Sequence, residues 1–383
     1  MRGAGVIAGG AVLALAVVVW WGLRGQEVSG GVVLAAWLPR PYQDAASSAA
    51  PASAALFTAQ GWVQTEADKS WCRLEDSAEP PQMSASEATS PKEWRRAWAA
   101  TSPVRKLQQD EEDRVTAGWV KRLHARGDER SLAGADLLED KEAATRHLLD
   151  LARNSQDPVI YAWAMRTCAR EADCELSALR WAQLDPGNAA PWVWEAERAW
   201  RSGDTQAQRE ALYQIGLSSR NQNYDRPLLQ LLLNGAEARA SGLQMAVETE
   251  LVARLGFSAM PNLRGAYDYC NKAGAETDTL RHGVCLDAAE ALWRQADDMM
   301  SARMATNIAK RHAPAGDPVW PSRRKETDVL LALGSKQYMR ELEEAGGSKD
   351  ACAGVAVMHG QVQIFSTLGE LAYLRKLRDT SVP

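Results

Sequence analysis

Residues 157–216 read DPVIYAWAMRTCAREADCELSALRWAQLDPGNAAPWVWEAERAWRSGDTQAQREALYQIG, and this stretch decides the fold. Asp157-Pro158 suits a helix start, since Asp caps the first turn and Pro fits within it. The first helix is expected to reach about Arg170, and a second to run from Asp173 or Cys174 to Leu184. Asp185-Pro186-Gly187-Asn188 then breaks the chain. A third helix is expected from Ala190 to Arg201, a turn at Ser202-Gly203-Asp204, and a fourth helix from Thr205 to Leu217. The two Asp-Pro openings stand 28 residues apart, each followed by a helix, a short turn and a helix. That spacing is the pattern of stacked helical hairpins.

Leu184-Asp185-Pro186, Trp192 and Gly203-Asp204 resemble the tetratricopeptide repeat, with its closing Pro, early Trp and inter-helix turn. The small-residue position of the second helix falls near Gln208, beside Ala207 and Ala211. The resemblance covers roughly 60 residues and implies an α-α solenoid that binds a protein or peptide on an extended surface.

Outward from this unit the helical pattern continues. Helices are expected over Arg105–Arg126, Lys141–Ala152, Arg226–Ala240, Leu243–Leu255, Pro261–Ala273, Thr277–Gln295, Asp297–His312, Val329–Glu344 and Asp350–Arg378. No run alternates for long with period two, so no sheet is expected. Residues 93–383 form the helical-repeat domain on this reading.

The N-terminus differs. Residues 3–23, GAGVIAGGAVLALAVVVWWGL, carry no charge, and 21 residues at about 1.5 Å each span about 30 Å of bilayer. A cleaved signal peptide would show a shorter apolar core and a small-residue cleavage site; Arg24-Gly25-Gln26-Glu27 is a poor one. Residues 1–24 are therefore expected to form a transmembrane anchor. Residues 25–92 are Ala-, Ser- and Pro-rich and read as a flexible linker, with a short ordered patch near 57–75.

Six cysteines follow the anchor. Cys168 and Cys174 flank one expected hairpin turn, and Cys270 and Cys285 another, which suggests two local disulfides. Cys72 and Cys352 are left over. An anchor followed by disulfides places the domain in the periplasm of a bacterium, attached to the inner membrane by a single pass.

Chemistry is not legible in the motifs. The five histidines are scattered, no zinc-ligand spacing appears, and no catalytic elbow or phosphate loop is present, so no cofactor, metal or catalytic residue is assigned. Acid pairs such as Asp297-Asp298 read as solvated helix surface. With a net charge of −5 and no basic patch, nucleic acid is not expected as a partner. On the helix from Ala190, Trp192, Val193, Ala196, Ala199 and Trp200 make a core stripe. Trp194 points elsewhere, with Arg198 and Arg201 beside it, and these three are the candidate binding residues. The expectation is a membrane-anchored periplasmic helical-repeat protein that mediates protein–protein interaction. An all-α envelope enzyme with a site assembled from distant residues, or a structural spacer, are the alternatives.

Overall fold

The computed structural model describes residues 103–381 apart from 140, 169–174, 235–241, 258–262, 272–277 and 345–350. These residues form fifteen α-helices. In chain order they are α1 (Pro103–Arg126), α2 (Glu129–Glu139), α3 (Glu142–Asn154), α4 (Pro158–Cys168), α5 (Ala178–Leu184), α6 (Ala190–Ser202), α7 (Thr205–Leu217) and α8 (Asp225–Leu233). There follow α9 (Gly242–Phe257), α10 (Arg264–Asn271), α11 (Thr279–Arg294), α12 (Met299–His312), α13 (Val319–Glu344), α14 (Ala351–Leu368) and α15 (Glu370–Ser381). One isolated bridge, Asn188 to Arg220, is the β-structure present among the described residues.

The caps explain most boundaries. Asp157 Oδ1 accepts the Val159 N–H at 2.9 Å, and Asp204 Oδ1 accepts that of Ala207 at 2.9 Å, which start α4 and α7 where Asp stands in the sequence. The second helix of the central stretch begins later than expected, at Ala178. Ser177 caps it by accepting the Arg180 N–H at 3.1 Å, and Ser177 is itself held by the Tyr161 hydroxyl through its N–H and carbonyl. Helix α2 was not anticipated; Asp128 starts it by accepting from the Ser131 N–H at 3.0 Å. α13 begins ten residues before the expected Val329, because Asp317 accepts the Val319 N–H at 2.7 Å and Pro321 is tolerated in a first turn. The single long helix expected over 350–378 is two, broken at Gly369 with φ +82°.

Two apolar cores organise the array. The first gathers Trp119, Trp163, Trp181, Ile160, Leu148 and Leu228 from α1–α5 and α8, joined by α9. α4 is buried all round from Val159 to Met165, as a helix at the centre of a bundle must be. The second core gathers Leu212, Ile215, Leu292 and Ile308 from α7, α11 and α12, with α10, α13 and α15 around them. α6 straddles both, with Val193 in the second and Trp194 against the first.

The chain also folds back on itself. α9 packs on α1, where Arg254 pairs with Glu112 at 2.7 Å and Gln108 donates to Glu250 at 2.7 Å. α14 then lies on α8 and α9, with Gln230 donating to the Ser366 carbonyl at 2.8 Å and Thr249 hydrogen-bonded to His359 at 3.0 Å. In a simple solenoid each hairpin touches only its neighbours; here long-range returns bring the two cores together.

The membrane expectation is corrected. The apolar segment 1–24, the linker 25–92 and Cys72 lie outside the described residues. Among the described residues no helix is long and apolar enough to cross a membrane. The transmembrane fold class, the membrane as a partner and the single-pass inner-membrane, periplasmic placement all rested on that anchor and are set aside.

Candidate functional site

The break at Asp185-Pro186-Gly187-Asn188 does more than end a hairpin. The Asn188 side chain is fully buried; its Nδ2 donates to Asp185 Oδ2 at 2.6 Å and to the Gln222 carbonyl at 2.9 Å, while its Oδ1 accepts from Gln222 N–H at 2.9 Å. Asp185 is also buried and takes hydrogen bonds from Arg220 and, at 2.7 Å, from the Tyr224 hydroxyl. Burial and the Asp185 carboxylate push the Tyr224 phenol up, so it stays a donor. These bonds pin the segment from Arg220 to Tyr224 against the Asp185–Asn188 break, and Tyr224, at φ 58°, turns it into α8. Trp163 Nε1 holds that turn by donating to the Tyr224 carbonyl at 2.9 Å.

The pinned segment forms one wall of a cleft of about 80 Å³. The start of α8, the Asp297–Ser301 turn into α12 and the Gly369–Glu370 turn into α15 form the rest, together with Leu263 and Phe365. Four carboxyls meet there: Asp225, Asp297, Asp298 and Glu370. Asp225 is held by Arg166, which is 8% exposed and also donates to the Leu255 carbonyl at 2.8 Å. Asp297 is 3.5 Å from Arg226, whose guanidinium otherwise serves the Ser366 and Thr367 carbonyls at the end of α14. Asp298 caps α12, accepting from Ser301 N–H and Oγ–H at 2.7 Å each. Glu370 Oε2 accepts the Met299 N–H at 2.9 Å.

Surrounding protein raises the pKa of three of these groups. Burial pushes Glu370 up to about 7, against the lowering effect of the Met299 N–H and with Asp298 and Asp297 adding repulsion. Burial pushes Asp225 to about 6 despite Arg166. Asp298 is raised by burial, partly offset by its bonds from Ser301. Four carboxyls thus face two guanidiniums. A further observation points the same way: the amide oxygen of Asn221, a residue 9% exposed on the cleft wall, is buried without a hydrogen-bond partner, as is that of Asn223. The cleft offers acceptors in excess of donors, and an unsatisfied buried acceptor is expensive.

The residues singled out from sequence lie elsewhere. Trp194 is half-buried against the first core. Arg198 pairs with Glu195 on its own helix, and Arg201 reaches Glu197 at 2.9 Å. Arg166, on the preceding hairpin, is buried on the cleft's Asp225. The structure joins Cys270 to Cys285 in a disulfide, and Cys168 is disulfide-bonded as well. Cys174 lies outside the described residues, as does the side chain of Cys352. Asp297-Asp298 is not a solvated helix face but the cap of α12 and a wall of the cleft. Its position directly before a helix start was the available signal.

No family model, no curated protein and no solved structure matches the chain. The fold stands as an all-α array of fifteen described helices, and the tetratricopeptide resemblance of residues 157–216 stays local.

Proposed function

We propose that the protein is a helical binding scaffold whose acid-lined cleft receives one cationic group, an ammonium or guanidinium, presented by a partner chain. The observation that carries this reading is the excess of acid: the four carboxyls of Asp225, Asp297, Asp298 and Glu370 are met by the two guanidiniums of Arg166 and Arg226 among the described residues, and the Asn221 amide oxygen beside them has no hydrogen-bond partner. Size supports it too. A cleft of about 80 Å³ suits the head of one side chain and is well below the roughly 300–1,000 Å³ of sites that enclose a whole small molecule. A buried charge is tolerated when it meets an opposite charge with hydrogen bonds, and the cation completes that arrangement.

The test uses methylguanidinium and methylammonium as probes, followed by the side-chain amide resonances of Asn221 and Asn223. Saturable shifts that weaken in Asp297→Asn support the reading. Shifts no larger than those caused by tetramethylammonium, which cannot donate a hydrogen bond, remove it.

One observation favours a second reading. Glu370 and Asp225 titrate near neutrality in one cleft, and such groups serve as general acids and bases. An all-α enzyme with Glu370 as its proton-transferring group is the alternative. A hydrolytic or isomerase activity that Glu370→Gln abolishes while the fold is unchanged would favour it over the scaffold.

A further inference from the structure

A separate cluster lies in the second core. Cys270 near the end of α10, Cys285 in α11 and His312 at the end of α12 are each 0% exposed. Both sulfurs and a ring nitrogen of His312 lie within 4.8 Å of one another. His282 stands one turn before Cys285 on α11, so the two share a helix face. Its ring meets that of His312 edge-on with centroids 5.4 Å apart, and its Nδ1 is buried without a hydrogen-bond partner. His312 Nε2 donates to the Cys270 carbonyl at 2.7 Å, since a carbonyl can only accept. In the neutral ring Nδ1 then carries the lone pair. A histidine held by a backbone carbonyl through one nitrogen is the usual arrangement of a metal-ligating imidazole.

We propose that Cys270, Cys285, His282 and His312 form a tetrahedral zinc site in the reduced protein, and that the Cys270–Cys285 disulfide is the metal-free, oxidised state of the same site. Two thiolates and two imidazoles are a structural zinc set, with ligand atoms about 3.4–3.8 Å apart around the metal. Cys270, Cys285 and His312 already lie within 4.8 Å of one another, and His282, whose ring centroid is 5.4 Å from that of His312, would have to rotate inward to supply the fourth ligand. Entry to the site needs a dithiol reductant. Its two thiols pass two electrons and two protons to the Cys270–Cys285 bond, which breaks to give two thiols, while the reductant closes to its own disulfide. Zinc binding then forms two metal–sulfur bonds and releases the two thiol protons. Either state ties α10 to α11, so the second core keeps a cross-link; only the zinc state also ties in α12.

The experiment uses the full chain, reduced with dithiothreitol, freed of it anaerobically and titrated with Co²⁺. The expected result is one equivalent bound, with the visible bands of tetrahedral cobalt and a thiolate charge-transfer band. Cys285→Ser loses the charge-transfer intensity, Cys168→Ser keeps it, and His282→Ala or His312→Ala weakens cobalt binding by more than the roughly 10–100-fold that losing an outer partner costs. If the reduced chain loses helical circular dichroism, Co²⁺ restores it. Absence of cobalt–thiolate absorbance in the reduced chain, bands that survive Cys285→Ser, or a reduced chain that stays unfolded with metal overturns the proposal. Bands indifferent to both histidine substitutions do the same.

Discussion

Glu370 Oε2 accepts the backbone N–H of Met299 at 2.9 Å, so the first residue of α15 caps the first turn of α12, 71 positions earlier in the chain. Asp298 caps that same turn from its own side. Two carboxyls therefore meet one helix N-terminus. The helix end favours their charge, and the burial opposes it. Burial wins for Glu370, whose pKa lies at about 7.

This fixes a pH dependence of stability. The folded pKa of Glu370 lies above its ordinary value of 4.5, so between these values the folded chain holds a proton that the unfolded chain has lost. The stabilisation is complete below about pH 4.5 and disappears as pH rises through about 7. Glu370→Gln keeps an acceptor for Met299 but does not titrate. Denaturant unfolding at pH 5 and pH 8 is expected to show a smaller loss on raising pH in the variant than in the parent chain. An equal loss assigns the dependence to other groups.

Gly369 has φ +82°, and a Cβ there would lie 2.0 Å from Asp297 Oδ1. The left-handed backbone alone costs a non-glycine residue about 1–2 kcal/mol, and the contact adds to it. Gly369→Ala is expected to lower the thermal midpoint and to displace Asp297, weakening any ligand of the cleft. Unchanged thermal unfolding would contradict the tight turn.

Trp194→Ala is expected to destabilise the fold by about 2 kcal/mol in denaturant unfolding, less than the 3–5 kcal/mol of a fully buried aromatic, because the ring is half-buried against the first core. A loss of partner recovery with stability unchanged would instead mark Trp194, Arg198 and Arg201 as a contact surface.

Cys285→Ser opens a disulfide whose cysteines are 15 positions apart. The chain-entropy account gives a loss of about 3 kcal/mol. Reduction of the parent chain in the absence of divalent metal also opens the disulfide of Cys168, so it should produce a loss at least as large. A stability unaffected by either change would show that the packing of α10 on α6 and α12 suffices.

Gly265 shows a different kind of constraint. A Cβ there would stand 2.4 Å from the Ala196 carbonyl oxygen, so α10 approaches α6 backbone to backbone. Gly265→Ala must push these helices apart, and the Glu197 carboxylate would lose the Gly265 N–H it accepts at 3.1 Å while keeping Arg201.

The central helices were legible because their ends are written locally. Asp157, Pro158, Asp204 and the Asp185-Pro186 break act on their own neighbours, and such signals survive without knowledge of the fold. Ser177, Asp128 and Asp317 carry the same chemistry but stand in less regular surroundings: the sequence places the helix of Ser177 too early and that of Asp317 too late, and it does not show that of Asp128. The cleft was not legible. Asp225, Asp297 and Glu370 lie more than 70 residues apart in succession, and only the return of α14 and α15 onto α8 and α12 brings them together. The Cys–His cluster was half legible: His282 and Cys285 stand three apart on one helix, while Cys270 and His312 join them through packing of α10 and α12.

The central claim is that the cleft takes a cation against ionised carboxyls. Its most direct test is calorimetric titration of the full chain with methylguanidinium at pH 6 and pH 8. With Glu370 at about 7, its ionised fraction rises about tenfold over this range, and affinity should rise by up to that factor. Glu370→Gln should flatten the dependence. Affinity that is undetectable at pH 8, or that is equal at the two pH values in the parent chain, would contradict the account.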